Sequence, residues 1–236
     1  MFVTLYLVAT LCATAGRCDH HCVPRTEMTR YPDKASQDVA ELHALLDQVH
    51  LAHVALMADG FPLVIPTGIA RDGDRVLVHG STGSRWMRQL SHGADACVSV
   101  TSLDAVVVAR SAFESSFQYR SAVVFGRFTP VADQDKVAAL DVLIEALVPG
   151  RSAEVRPSTP RELGATLVLA MPLEQWSLRL SQDWPDDEDA DVAGPSWAGV
   201  VPVRTVHGEP RAAPDLRDGI DVPPSVQAMI AGSRPE

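Results

Sequence analysis

From Gln37 to His50 apolar residues recur at helical spacing, with Val39, Leu42, Leu45, Leu46 and Val49 on one stripe. This predicts an amphipathic helix, with Ser36 as its N-cap. The period then changes to two. Leu51 to Met57 reads as a strand, Ala58-Asp59-Gly60 as a hairpin turn, and Phe61 to Ala70 as a second strand interrupted by Pro66. Asp72-Gly73-Asp74 turns into a third strand, Arg75 to Gly80, with Val76 and Val78 on one face and Leu77 and His79 on the other. Antiparallel strands this closely spaced predict a barrel or meander and argue against a βαβ sheet.

Ser84 to His92 has helix-forming character, with Trp86, Met87 and Leu90 apolar. Ala96 to Thr101 and Ala105 to Ala109 read as two further strands, and Tyr119 to Phe128 as a long one. Asp133 to Val148 predicts a second amphipathic helix, capped by Asp133 and ended by Pro149-Gly150. Thr166 to Leu173 and Trp176 to Leu180 read as a closing hairpin. Beyond them Asp183 to Asp191 carries six acidic residues, a solvated loop. Pro195 to Val203 reads as a last extended segment anchored by Trp197, and 204–236 as a loose tail.

Composition narrows the function classes. The 236 residues are 46% hydrophobic and carry a formal charge of −10. That is enough apolar surface for a sizeable core, and the wrong sign for a general binder of nucleic acid or anionic membrane. Four cysteines are too few and too uneven for a disulfide scaffold. Met1 to Gly16 is apolar and about the length of a signal-peptide core, but no Lys or Arg precedes it. Either it is an export segment or translation starts at Met28; residues 1–28 are expected to stand outside the fold and the protein to be cytoplasmic. Cys12, Cys18 and Cys22 with His20 and His21 lack a second ligand pair at finger spacing.

The chemistry concentrates in two places. In His79 to Leu90, HGSTGSRWMRQL, a strand enters a Gly/Ser/Thr loop that opens a helix bearing Arg85 and Arg88. Free N–H groups, hydroxyls and a guanidinium suit a phosphate; the same pattern also suits a simply capped helix after a hairpin. Its spacing is neither a P-loop nor a dinucleotide fingerprint. At Ser115 to Ser121 polar residues crowd the start of an apolar strand, either around a polar ligand or merely where a strand end meets water. Cys97 reads as a small core residue, and His43, His50, His53 and His92 as surface or helix-end histidines. No Ser-His-Asp ordering or carboxylate pair accompanies these, which argues against hydrolysis.

From about Thr29 to Val203 the chain resembles the flavin-binding proteins related to pyridoxamine 5′-phosphate oxidase, in the branch similar to nitroimidazole-resistance proteins. The matching pieces are RYPDKASQD, HVALMADGFPLVIPTGIARDGDRVLVHGSTGSR, SLDAVVVARSAFESSFQYRSAVVFGR, ATLVLAMPL and WAGVVPV. The resemblance implies a mainly β fold with flanking helices, a six-stranded antiparallel split β-barrel, in a homodimer holding FMN between subunits. By position it implies a phosphate site at His79, Gly80, Ser81, Ser84 and Arg85. Pro66 and Thr67 would lie against the isoalloxazine, and Tyr119, Arg120 and Ser121 would line the same cleft. Trp86 stands where many relatives carry Lys, so Arg85 or Arg88 must supply the charge. His79 is the candidate proton donor, or else a hydrogen-bond partner of the phosphate. The implied activity is an oxidoreductase passing electrons from a reduced nicotinamide to a small organic acceptor, with no nucleic acid or membrane partner. The alternatives are a non-catalytic flavin-binding module, or the same barrel holding a deazaflavin or haem.

Overall fold

The computed structural model describes residues 26–232. The apolar leader and its Cys/His cluster fall outside the described residues. In chain order the elements are β1 (Ala35–Ser36), α1 (Val39–Gln48), β2 (Leu51–Ala58), β3 (Phe61–Asp72), β4 (Arg75–Ser81), α2 (Arg85–Ser91), β5 (Asp95–Val108) and β6 (Ser116–Arg127). Then follow β7 (Thr129–Pro130), α3 (Lys136–Leu147), α4 (Pro160–Ala165), β8 (Thr166–Pro172), β9 (Gln175–Ser181), α5 (Asp189–Val192), β10 (Gly199–Pro202) and α6 (Pro224–Ala231). Six strands were expected; ten are found among the described residues, three of them (β1, β7 and β10) only two to four residues long.

All pairings are antiparallel, along the path β1-β9-β6-β5-β2-β3-β4-β8-β7, with β10 added to β5. Only Leu173 and Glu174 separate β8 from β9, yet these two strands lie toward opposite ends of that path. The sheet must therefore curl until its ends meet without bonding. This is a split barrel. The expected closing hairpin is corrected accordingly: β8 pairs with β4 and β9 with β6.

Inside the curl, Val54, Val76, Val78, Val98, Val124, Leu169 and Met171 form the core, plugged by Leu42, Leu45 and Leu46 of α1 and Met87 and Leu90 of α2. A second cluster lies outside, where Leu77, Ala70, Val168 and Ala170 pack under Ala139 and Leu143 of α3. Val76, Leu77 and Val78 are each 0% exposed. Three consecutive buried residues mean that β4 is covered on both faces, and truncating Leu77 to Ala costs about 2–5 kcal/mol by the usual cavity penalty.

Several boundaries differ from the pattern. The N-cap of α1 is Asp38, whose carboxylate accepts from Ala40 N at 2.8 Å; Ser36 instead hydrogen-bonds Glu41. The two strands expected at 96–101 and 105–109 are one strand, β5, with a bulge between Leu103 and Ala105. Asp133 opens a short 3-10 turn ahead of α3 and makes no side-chain cap bond. The 204–236 stretch, expected to be loose, contains α6, pinned where Ser225 N donates to Glu154 Oε1 at 2.9 Å. Among the described residues no helix is long and apolar enough to cross a membrane.

Candidate functional site

Strand alternation decides where each candidate residue goes. Val78 faces the core, so His79 and Ser81 face outward with Leu77, and Gly80 faces inward. A Cβ on Gly80 would stand 2.9 Å from Met87 Cγ, so glycine there is what lets α2 pack on β4. In β3, Pro66 pairs with His53 on the outer face, while Thr67 pairs with buried Ala52 on the inner one. In β6, Tyr119 and Ser121 face outward beside Leu103 and Thr101, and Arg120 faces inward beside Ser102. The chain thus brings Pro66, His79, Ser81, Tyr119 and Ser121 to one outer surface and turns Thr67, Gly80 and Arg120 away from it.

That surface mixes donors with bare apolar groups. Register aligns Pro66, His53, Ser99 and Val123 across four strands, and Thr101, Ser121 and Arg179 across three. Leu51, Met57 and Val64 stand 61%, 59% and 55% exposed on the same face, which is unusual for side chains of this size when contiguous. Cys97, expected in the core, is half-buried here, opposite Ala55 and Phe125; burial pushes its thiol above the usual value.

Arg179 had no sequence signal. Its guanidinium lies 5.4 Å from the Tyr119 ring centre and 5.6 Å from that of Tyr31. Its Nε is buried without a hydrogen-bond partner. A buried donor left unpaired costs about 1–3 kcal/mol, so the position asks for an acceptor.

At the β4–α2 turn, Ser84 N donates to Ser81 O at 3.0 Å and Gly83 N to Ser81 Oγ at 3.1 Å. Ser84 is the N-cap of α2 and makes no side-chain cap bond. Arg85 Nη2 donates to Asp59 Oδ1 at 2.6 Å, with both side chains about two-thirds exposed at 67% and 65%. Such a pair is worth about 0–1 kcal/mol and yields readily to a phosphate. Arg120, by contrast, holds Asp104 through two bonds of 2.9 Å and Ser102 through one of 3.2 Å. The guanidinium keeps the Asp104 carboxyl below the usual carboxylate range. This pair forms one wall of a cleft of about 630 Å³ with Gln118, Trp184, Val200 and Pro202.

A further cleft, about 650 Å³, opens where α3 leaves the sheet. Its walls are Leu140, Ile144 and Leu147 of α3 and Val155 of the following loop, with His79 at its base. Arg156 at its edge is held by Glu162 through bonds of 2.9 and 2.6 Å.

A pyridoxamine 5′-phosphate oxidase profile matches residues 38–180, more than half of the chain. The chain belongs to that family. No curated protein matches it. Among solved structures it is 53% identical to a FAD- and haem-binding protein of Mycobacterium smegmatis, covering 84% of this chain and 97% of that one with a TM-score of 0.81. It is 34% identical to the flavocytochrome Anf3 of Azotobacter vinelandii, covering 87% and 96%, again at 0.81. A Bacteroides thetaiotaomicron structure assigned as a 5-nitroimidazole antibiotic resistance protein is 15% identical over 61% of this chain and 84% of that one, at 0.53. That last likeness is one of fold alone. The long strands expected of the family are present, and its outer sheet face carries most of the outward-pointing candidate residues.

Proposed function

We propose that this chain is a flavin-binding redox protein of the flavocytochrome type, taking FAD in place of the FMN expected from sequence, together with a haem. The observation that carries this reading is the 53% identity to the mycobacterial FAD- and haem-binding protein across nearly all of that chain. The donor set on the outer face fits a flavin: Arg179 offers a buried unpaired N–H, Tyr119, Ser121, Thr101 and Ser99 offer hydroxyls, and the start of α2 offers the uncommitted Ser84 side chain and the loosely held Arg85. A bound flavin supplies hydride and single-electron chemistry; the protein supplies position and electrostatics. Tyr119, Ser121 and Arg179 orient and hydrogen-bond the ring or pyrophosphate, and Pro66 shapes the wall. Asp104 and Arg120 fix the inner end of β6 so that its outward residues hold their register.

The reading includes a homodimer. The exposed Leu51, Met57 and Val64 need a partner, and a second copy would cover them while enclosing the flavin. It also includes a reduced nicotinamide as donor and a small organic acceptor. Separate titration of the flavin-stripped protein with FAD and FMN, followed by flavin fluorescence, tests the cofactor. Saturable quenching by FAD at lower concentration than by FMN supports the proposal; preference for FMN, or no quenching by either, overturns it.

A further inference from the structure

Six histidines fall within the described residues, and five of them, His43, His50, His53, His79 and His92, are carried by the barrel and its helices. They differ in what surrounds them. His43 pairs with Asp74 at 3.5 Å, and His92 caps the C-terminus of α2 in solvent. His53 sits on the outer face beside Pro66 and Ser99. His50 lines a smaller cleft that also holds Asp47, Asp141, Glu145 and Arg71, with Arg71 already bound to Asp47.

His79 stands apart. Its side chain leaves β4 on the outer face and enters the 650 Å³ cleft under α3. That volume lies in the range, about 300–1,000 Å³, typical of cofactor and ligand pockets. Three of the apolar walls are left bare, Val137 at 45%, Leu147 at 58% and Val155 at 43% exposed. The helix and loop therefore present a greasy slot with one nitrogen base at its floor and a guanidinium, Arg156, at its edge. Two carboxylates also reach it, Asp141 and Glu162, and Glu162 is already committed to Arg156 and to Thr159 N.

An imidazole at the base of an apolar slot with a cation at the rim matches the needs of a haem, whose iron takes an axial His and whose edge carries two carboxylates. We infer that the cleft between α3 and β4 is the haem site, with His79 the axial ligand to iron and Arg156 the partner of a propionate. The inference rests on the flavocytochrome reading above. It also assigns the two cofactors to adjoining regions: the flavin to the open outer face of β2, β3, β5 and β6, the haem to the part of that face that α3 overhangs. His79 then serves as a ligand and is withdrawn from the role of proton donor.

The experiment is haemin titration of the full-length, FAD-loaded protein, followed by absorption and electron paramagnetic resonance spectra, for wild type, His79→Ala, His92→Ala and Leu147→Trp. Wild type and His92→Ala are expected to take one haem per chain with identical spectra. His79→Ala is expected to lose affinity at least about tenfold, since even outer partners of a metal ligand are worth about 10- to 100-fold. Added imidazole should restore its wild-type spectrum. Leu147→Trp fills the slot from the rim, so it should weaken haem binding while FAD stays bound. A His79→Ala protein that binds haemin as tightly as wild type, with an unchanged spectrum, overturns the inference alone. Should His79→Ala also lose FAD, Leu147→Trp decides: undiminished haem affinity there overturns the inference. A wild type that binds FAD but no haemin overturns the haem half of the functional reading and the inference with it.

Discussion

Gly80→Ala tests whether the β4–α2 junction is built as described. Gly80 faces the core, and an added Cβ would lie 2.9 Å from Met87 Cγ and 3.2 Å from its Sδ. Met87 is 0% exposed and has nowhere to retreat, so the methyl group must displace α2 or force a rotamer. Overpacking of this kind costs about 1–3 kcal/mol. Against it stands about 0.4–1 kcal/mol gained by stiffening the unfolded chain, so the net loss is about 0–2.6 kcal/mol by those two figures. In a Met87→Ala background the clash is gone. That substitution alone costs about 2–5 kcal/mol for its cavity, but Gly80→Ala added to it should be neutral or stabilising. Urea unfolding of the four proteins gives the coupling directly, expected at about 1–3 kcal/mol. Strict additivity would refute the close approach of α2 to β4, and with it the placement of Ser84 and Arg85.

Four other outcomes follow. Asp104→Asn strips Arg120 of its two charge-assisted bonds and should cost about 1.5–3 kcal/mol, read as a fall in Tm of about 2–4 °C per kcal/mol for a chain this long; because the Asp104 value is depressed in the folded state, this contribution is present above the unfolded pKa and lost as acid protonates the carboxyl, so the variant's deficit should shrink at low pH. Glu162 is drawn from 4.5 down to about 2 by Arg156 and by its cap on α4, so the cap should fail only as pH falls between those values, and Glu162→Gln should flatten that part of the acid-unfolding curve. Val64→Asp on the bare outer face should shift the protein toward monomer in light scattering and lower its flavin content; an unchanged dimer would refute that interface. Arg179→Ala should weaken FAD binding about tenfold or more if it loses one charge-assisted bond worth about 1.5–3 kcal/mol, with fluorescence titration as the readout.

The barrel was legible where one residue's neighbours in sequence are also its determinants in space. Val76 and Val78 turn to one side of β4 and Leu77 and His79 to the other, as a period of two predicts, and the turns at Asp59-Gly60 and Gly73 carry positive φ at Asp59, Gly60 and Gly73 as hairpins require. Pairing was less legible. Nothing local in Thr166–Ser181 says that two strands joined by Leu173 and Glu174 bond to β4 and β6 and leave each other unpaired. Asp104 interrupts the apolar run of β5 because it is bulged to meet Arg120, a long-range demand that resembles a loop in sequence. Helix α6 lacks a clear apolar stripe and is held by Ser225 on Glu154. The site divides the same way. His79 and the β4–α2 turn stand out in sequence, whereas Arg179 gains meaning only when Tyr31 and Tyr119, 88 positions apart, flank it.

Native mass spectrometry of the full-length protein as isolated tests the central claim most directly, because subunit number and both cofactors appear in one spectrum. The account predicts a dimer carrying one FAD and one haem per chain. A monomer that holds neither, and acquires neither when FAD and haemin are supplied, would contradict it.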